Sequence, residues 1–146
     1  MLRQTDALFG PCDVLIMTAA VSDWRPKVMH PQKLKKDGAG LTVEFEPVPD
    51  ILATLAQRRR PDQLLVGFAA ETGDATGDVL TLGRAKLARK RCDLLVVNDV
   101  SGGAVFGSPE NEAVILGADG RSVAVPRGSK ASVAHAIWDQ VVATWS

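Results

Sequence analysis

No charge of one sign dominates this sequence, in which 17 basic residues stand against 17 acidic ones. A chain without a basic field does not point to nucleic acid, and one without an acidic tail does not point to a basic partner. Long apolar runs are also missing. The longest, at 14–17 and 94–97, fall far short of the about 20 residues that cross a bilayer as a helix. The opening MLRQTDALFGPCD lacks the charged stretch, apolar stretch and cleavage site of a secretory leader. These absences place the chain in the cytoplasm, away from membranes.

Cysteine is scarce. Cys12 and Cys92 are too few for a disulfide framework and lack metal-ligand spacing. Each precedes an Asp that opens an apolar run, which reads as a small buried residue at a strand start. The two His residues are far apart and have no Cys or carboxylate at zinc spacing, which excludes a structural metal site. Repeats and low-complexity tracts are absent. So is a phosphate-cradling glycine turn, because neither Gly38 and Gly40 nor Gly102 and Gly103 stand between a strand and a helix. Without a G-x-G-x-x-G before a helix, a dinucleotide-dependent oxidoreductase is disfavoured.

What is present is enough apolar content, 46% of 146 residues, for one domain with a buried core. Three short continuous apolar runs, DVLIMTAA (13–20), QLLVGFAA (63–70) and CDLLVVND (92–99), suit strands of a parallel sheet covered on both faces. Helical patterns lie between and after them. LRQTDALFG leads into the first run, 49–59 carries Pro49 near a helix start, and 76–91 gathers basic residues toward its end. The stretch 128–145 is an amphipathic helix with Val133, Ile137, Trp138 and Val141 on one side. Gly83 weakens the third helix by about 1 kcal/mol relative to Ala. LTVEFEP (41–47) alternates, and 111–126 reads as two strands around Asp119-Gly120, so both are hairpin material. The fold class is α/β, a Rossmann-like parallel sheet with β-hairpin excursions, lacking the strand and glycine turn that usually open such a domain.

Ligands of open α/β sheets bind outside the carboxyl ends of the strands. Ala19, Ala20, Ser22 and Asp23 follow the first run, Ala69, Ala70 and Glu71 the second, and Asn98 and Asp99 the third. Small residues there let a ligand approach the backbone, and the polar ones add bonding groups. They could equally pack tightly and cap the next elements. Lys33, Lys35 and Lys36 form a cationic loop suited to phosphates or to solvent. Lys86 and Lys90 share a helix face and also complement the helix carboxyl terminus. Asp50 reads as a residue of a helix amino terminus or as a metal or substrate ligand.

The ordered set AAVSDWRP, KLKK, PDIL, VGFAAET and AKLARKRCDLLVVND, with a later F-G…N, resembles the phosphopantothenoylcysteine synthetase (phosphopantothenate–cysteine ligase) family. The resemblance runs from about Asp13 to the final helix, and makes 1–146 the carboxyl-terminal part of one such domain. It implies CTP-dependent activation of 4'-phosphopantothenate as an acyl-cytidylate, then amide formation with cysteine, in coenzyme A biosynthesis with Mg2+. Ala19, Ala20 and Asp23 would contact phosphopantothenate. Lys33 would be the catalytic lysine at the triphosphate, and Asp50, Phe68, Lys86, Lys90 and Asn98 would lie near the nucleotide. A homodimer is implied, with segments 41–47 and 111–126 as candidate interfaces, as is fusion to or partnership with a phosphopantothenoylcysteine decarboxylase.

The sequence departs from the family pattern in three places. Val48 stands where Asn usually precedes PDI, and Ser22 and Trp24 where Ala and Tyr are common. The family's glycine-rich nucleotide turn and N-x-S-S-G segment are not found, so the sequence predicts that 1–146 alone is inactive and that its sheet exposes an unpaired edge. The competing reading is a non-catalytic nucleotide-binding, small-molecule-binding or interaction domain derived from this fold.

Overall fold

The computed structural model describes residues 1–35, 38, 40–75, 77–100 and 110–145, and divides into two compact units. The first comprises Met1–Thr18 and Ile51 onward. Its sheet has the order β1 (Val14–Ile16), β4 (Leu64–Glu71), β5 (Leu94–Asp99), β6 (Glu110–Gly117) and β7 (Ser122–Ser129). The three apolar runs of the sequence are the parallel strands β1, β4 and β5, while β6 and β7 continue the same sheet antiparallel. The 111–126 hairpin is therefore a wing of the main sheet, and its Ala113, Ile115, Leu116 and Val125 are buried in the core. Among the described residues β1 pairs only with β4, which leaves it an edge strand.

Alternation along the strands sorts the core onto two faces. On one face Leu65, Ala69, Leu95 and Val97 pack with α1 (Leu2–Phe9), α2 (Ile51–Ala56) and α3 (Val79–Lys90). On the other, Leu64, Val66, Leu94 and Val96 pack with Val133, Ile137 and Val141 of α4 (Lys130–Trp145). Trp138 is not among them. It is 51% exposed, because one residue after Ile137 turns about 100° around a helix axis and leaves the packed stripe.

Gly83 explains itself in this packing. A Cβ there would meet Val97 Cγ2 at 2.9 Å and Leu116 Cδ1 at 3.0 Å, so α3 lies closer to the sheet than a side chain would allow. Asp78 caps α3 by accepting from the Thr81 N–H at 2.7 Å, which holds its carboxyl below the usual range. The helix ends at Arg91 in the left-handed conformation, its N–H donating to Leu87 and Ala88 carbonyls.

One buried and one half-buried polar side chain set the base of the sheet. Gln63 Nε2 donates to the carbonyls of Phe9 at 2.8 Å and Cys12 at 2.7 Å, while its Oε1 accepts from the Arg60 N–H. The Asp93 carboxylate accepts from the Leu65 N–H at 2.8 Å and from Arg59. Cys92 is buried as its sequence position implies, and desolvation pushes its thiol up to about 11. Cys12 is only half-buried and donates to the Leu8 carbonyl.

The second unit, Ala19–Asp50, holds a two-stranded antiparallel sheet of β2 (Trp24–Pro26) and β3 (Phe45–Pro47). The alternating stretch 41–47 thus forms a strand only over its last residues, and its partner is the WRP of the small-residue segment. Pro26 and Pro47 remove ladder donors, which keeps this sheet short. Cross-strand ion pairs Arg25–Glu46 at 2.6 Å and Lys27–Glu44 at 3.3 Å flank it. Among the described residues no helix is long and apolar enough to cross a membrane.

Candidate functional site

The carboxyl ends of β4 and β5 lie side by side, with Ala70 opposite Asn98 and Glu71 opposite Asp99. The period of two that builds the core continues to this edge. Phe68 packs on the α4 face, and Ala70 and Asn98 share that face by register; Glu71 points to the α3 face. The residues expected near a nucleotide therefore reach the strand ends from opposite faces of the sheet. A ligand beyond the edge, rather than on either face, is the arrangement that engages both.

On the α3 face, the Lys86 ammonium meets Glu71 Oε1, and both side chains are largely withdrawn from water. Lys90 follows one turn later, half-buried, in the basic last turn of the helix. On the other face, Asn98 Oδ1 is buried and accepts no hydrogen bond among the described residues. An unpaired buried acceptor is costly in a core and common where a ligand or water completes the site. The sequence named Lys86 and Asn98 but missed the Glu71–Lys86 pair. Its only sequence signal is an acid closing a buried strand before a helix rich in lysine.

The second unit carries the other expected residues. Ala19 and Ala20 are exposed, the Ala19 carbonyl accepting from the Val21 N–H at 3.1 Å. Ser22 Oγ donates to the Trp24 carbonyl at 2.7 Å and locks the turn into β2. Asp23 has its carboxylate exposed, while its carbonyl accepts from the Val48 N–H at 2.9 Å. That bond uses the backbone of Val48, so the loss of the family's Asn side chain leaves it intact. Asp50 is exposed immediately before α2.

Lys33 and Lys35 are exposed in a segment without regular structure, whereas Lys36 lies outside the described residues. So do Phe106 and Gly107 of the later motif. Gln32 and Leu34, the neighbours of Lys33, line an open cavity of about 660 Å³ with Pro26, Met29, Leu41 and Val43. No sequence pattern marks this cavity, because its walls come from segments that show no common period.

Among the described residues no group of three or more His, Cys, Asp or Glu side chains could hold a metal ion.

Comparison with known proteins bears on the family and the fold. Residues 1–144 match the family model of the DNA/pantothenate metabolism flavoprotein C-terminal domain. The coenzyme A biosynthesis bifunctional protein CoaBC of Mycobacterium tuberculosis is 47% identical over 136 residues, covering 89% of this chain and 32% of that protein. CoaBC of Bacillus subtilis is 39% identical, covering 94% of this chain and 33% of that protein. The chain thus spans about a third of the length of these curated relatives. The solved C-terminal domain of a CoaBC protein superposes with a TM-score of 0.73 at 32% identity, over 96% of this chain and 58% of that one. At 21% identity, a Cab2 H337A mutant solved with phosphopantothenate-cysteine shares the fold with a TM-score of 0.56. The α/β architecture, the motif order and the matched span lead to one conclusion: this chain belongs to the DNA/pantothenate metabolism flavoprotein C-terminal domain family.

Proposed function

We propose that this chain serves the nucleotide-dependent ligation of 4'-phosphopantothenate and cysteine in coenzyme A biosynthesis. The observation that carries the reading is the carboxyl edge of β4 and β5, where a cation and an unpaired acceptor stand on opposite faces of one sheet. Motif order in a chain 47% identical to a CoaBC protein supports it.

In this reaction a carboxylate oxygen of phosphopantothenate attacks the α-phosphorus of CTP. The bond between the α-phosphorus and the bridging oxygen breaks, and pyrophosphate leaves. The cysteine amine then attacks the acyl carbon and expels CMP, losing a proton as the amide forms. Both steps gather negative charge on phosphate oxygens, and preorganised cations stabilise it. Lys33, Lys86 and Lys90 supply those cations. Phe68 offers an apolar wall to the base, Asn98 a polar group, and Asp50 a further polar contact. Ala19 and Ala20 leave room for phosphopantothenate to reach the backbone, and Asp23 accepts hydrogen bonds from it. Mg2+ arriving on the triphosphate would offset its charge.

The enzyme works as a homodimer in the cytoplasm, joined to or partnered with a phosphopantothenoylcysteine decarboxylase. Calorimetric titration of the full-length protein with Mg-CTP and with 4'-phosphopantothenate tests the reading. Saturable binding of both, with CTP preferred to ATP, is expected. Binding of neither overturns it, and binding without pyrophosphate release would assign the chain to a non-catalytic branch of the family.

A further inference from the structure

Glu71 is the last residue of β4, and its backbone is fixed at the strand edge, where its carbonyl accepts from the Val100 N–H at 2.9 Å. Its carboxylate turns toward α3 and meets the Lys86 ammonium. The side chains are only 14% and 26% exposed, respectively, which sets this pair apart from the solvated Arg25–Glu46 and Lys27–Glu44 pairs. An exposed pair of this kind leaves the lysine free to sample many rotamers. A pair sheltered between a strand end and a helix confines the ammonium to one place. Lysine has three donor hydrogens, so one carboxylate oxygen leaves others for an incoming phosphate.

We infer that Glu71 is a positioning residue, holding the Lys86 ammonium at the carboxyl edge of β4 for the phosphates of the nucleotide. This rests on the nucleotide-contact role proposed above for Lys86. A stapling role for the pair is already filled, because Leu87, Gly83 and Val79 pack α3 onto the sheet. Holding the ammonium in place lowers the ordering cost of binding, which is how preorganisation raises affinity.

A double-mutant cycle on the full-length protein separates the roles. CTP affinity and thermal stability are measured for wild type, Glu71→Gln, Lys86→Met and the double variant. Glu71→Gln is expected to weaken CTP binding about 10-fold, and to add less than about 2-fold once Lys86 is Met. Its KM for CTP should rise while kcat at saturating CTP holds, and Glu71→Asp should recover part of the affinity. Unchanged or tighter CTP binding in Glu71→Gln overturns the inference, as do effects that multiply in the double variant. A wild type that binds no CTP, or a Lys86→Met variant with undiminished affinity, overturns the nucleotide role of Lys86 and the inference with it.

Discussion

The two compact units of this chain are held together by different physics. The sheet body buries Leu65, Val66, Leu94, Leu95, Val96 and Ile115 completely, on both faces of one sheet. In the 19–50 unit no described residue is buried, and Trp24, Val28, Met29, Leu41 and Phe45 are all more than half exposed. What holds that unit is local: a three-residue ladder, the Asp23–Val48 and Lys27–Glu44 backbone bonds, and solvated ion pairs. Solvated pairs contribute only about 0–1 kcal/mol each. The difference teaches where precision and adaptability reside. The body fixes Lys86 and Asn98 to rigid elements, while the smaller unit presents Lys33 and Asp23 on backbone that little side-chain burial restrains.

The largest expected contrast follows directly. Leu95→Ala in the body should cost about 2–5 kcal/mol, because the site is enclosed and cannot collapse fully. Leu41→Ala, at a position 70% exposed, should change stability by no more than about 0.5 kcal/mol. Urea denaturation of both variants checks the pair. Equal losses would contradict the solvated packing described for Leu41.

A smaller effect sharpens the account of the body alone. Burial raises the Cys92 thiol from its ordinary value of 9.0 to about 11. A group with a raised folded value stabilises fully below its unfolded value, and that stability is lost as pH rises through the folded one. The body should therefore lose stability between about pH 9 and 11, and Cys92→Ala should flatten that part of the profile. Iodoacetamide at pH 8 should label the half-buried Cys12 well before Cys92. Equal labelling rates for the two thiols would contradict the packing described.

Much of the body was legible in the sequence because burial on both faces writes itself as continuous apolar runs. The runs at 13–20, 63–70 and 92–99 hold the parallel strands Val14–Ile16, Leu64–Glu71 and Leu94–Asp99. The hairpin at Asp119-Gly120 was equally plain, since its alternation and turn chemistry are local. The 19–50 unit was harder. Its β2 strand has two exposed residues and a half-buried Pro26 at its end, so no period marked it. Trp138 misled because a single apolar residue beside a packed stripe looks like part of it. Candidate site residues were found through motif order, whereas the Glu71–Lys86 pair depends on how α3 lies across β4, which no local pattern encodes.

The central claim is that this chain supplies cations to nucleotide-dependent activation of phosphopantothenate. It is tested most directly by pyrophosphate release from CTP in the full-length protein carrying Lys33→Gln. Lys33 sits on a loop that buries nothing, so the substitution should leave thermal stability unchanged. The account predicts that intermediate formation slows at least about 100-fold while phosphopantothenate still binds, the size seen when one charge-stabilising donor is lost. Pyrophosphate release at the wild-type rate would contradict it.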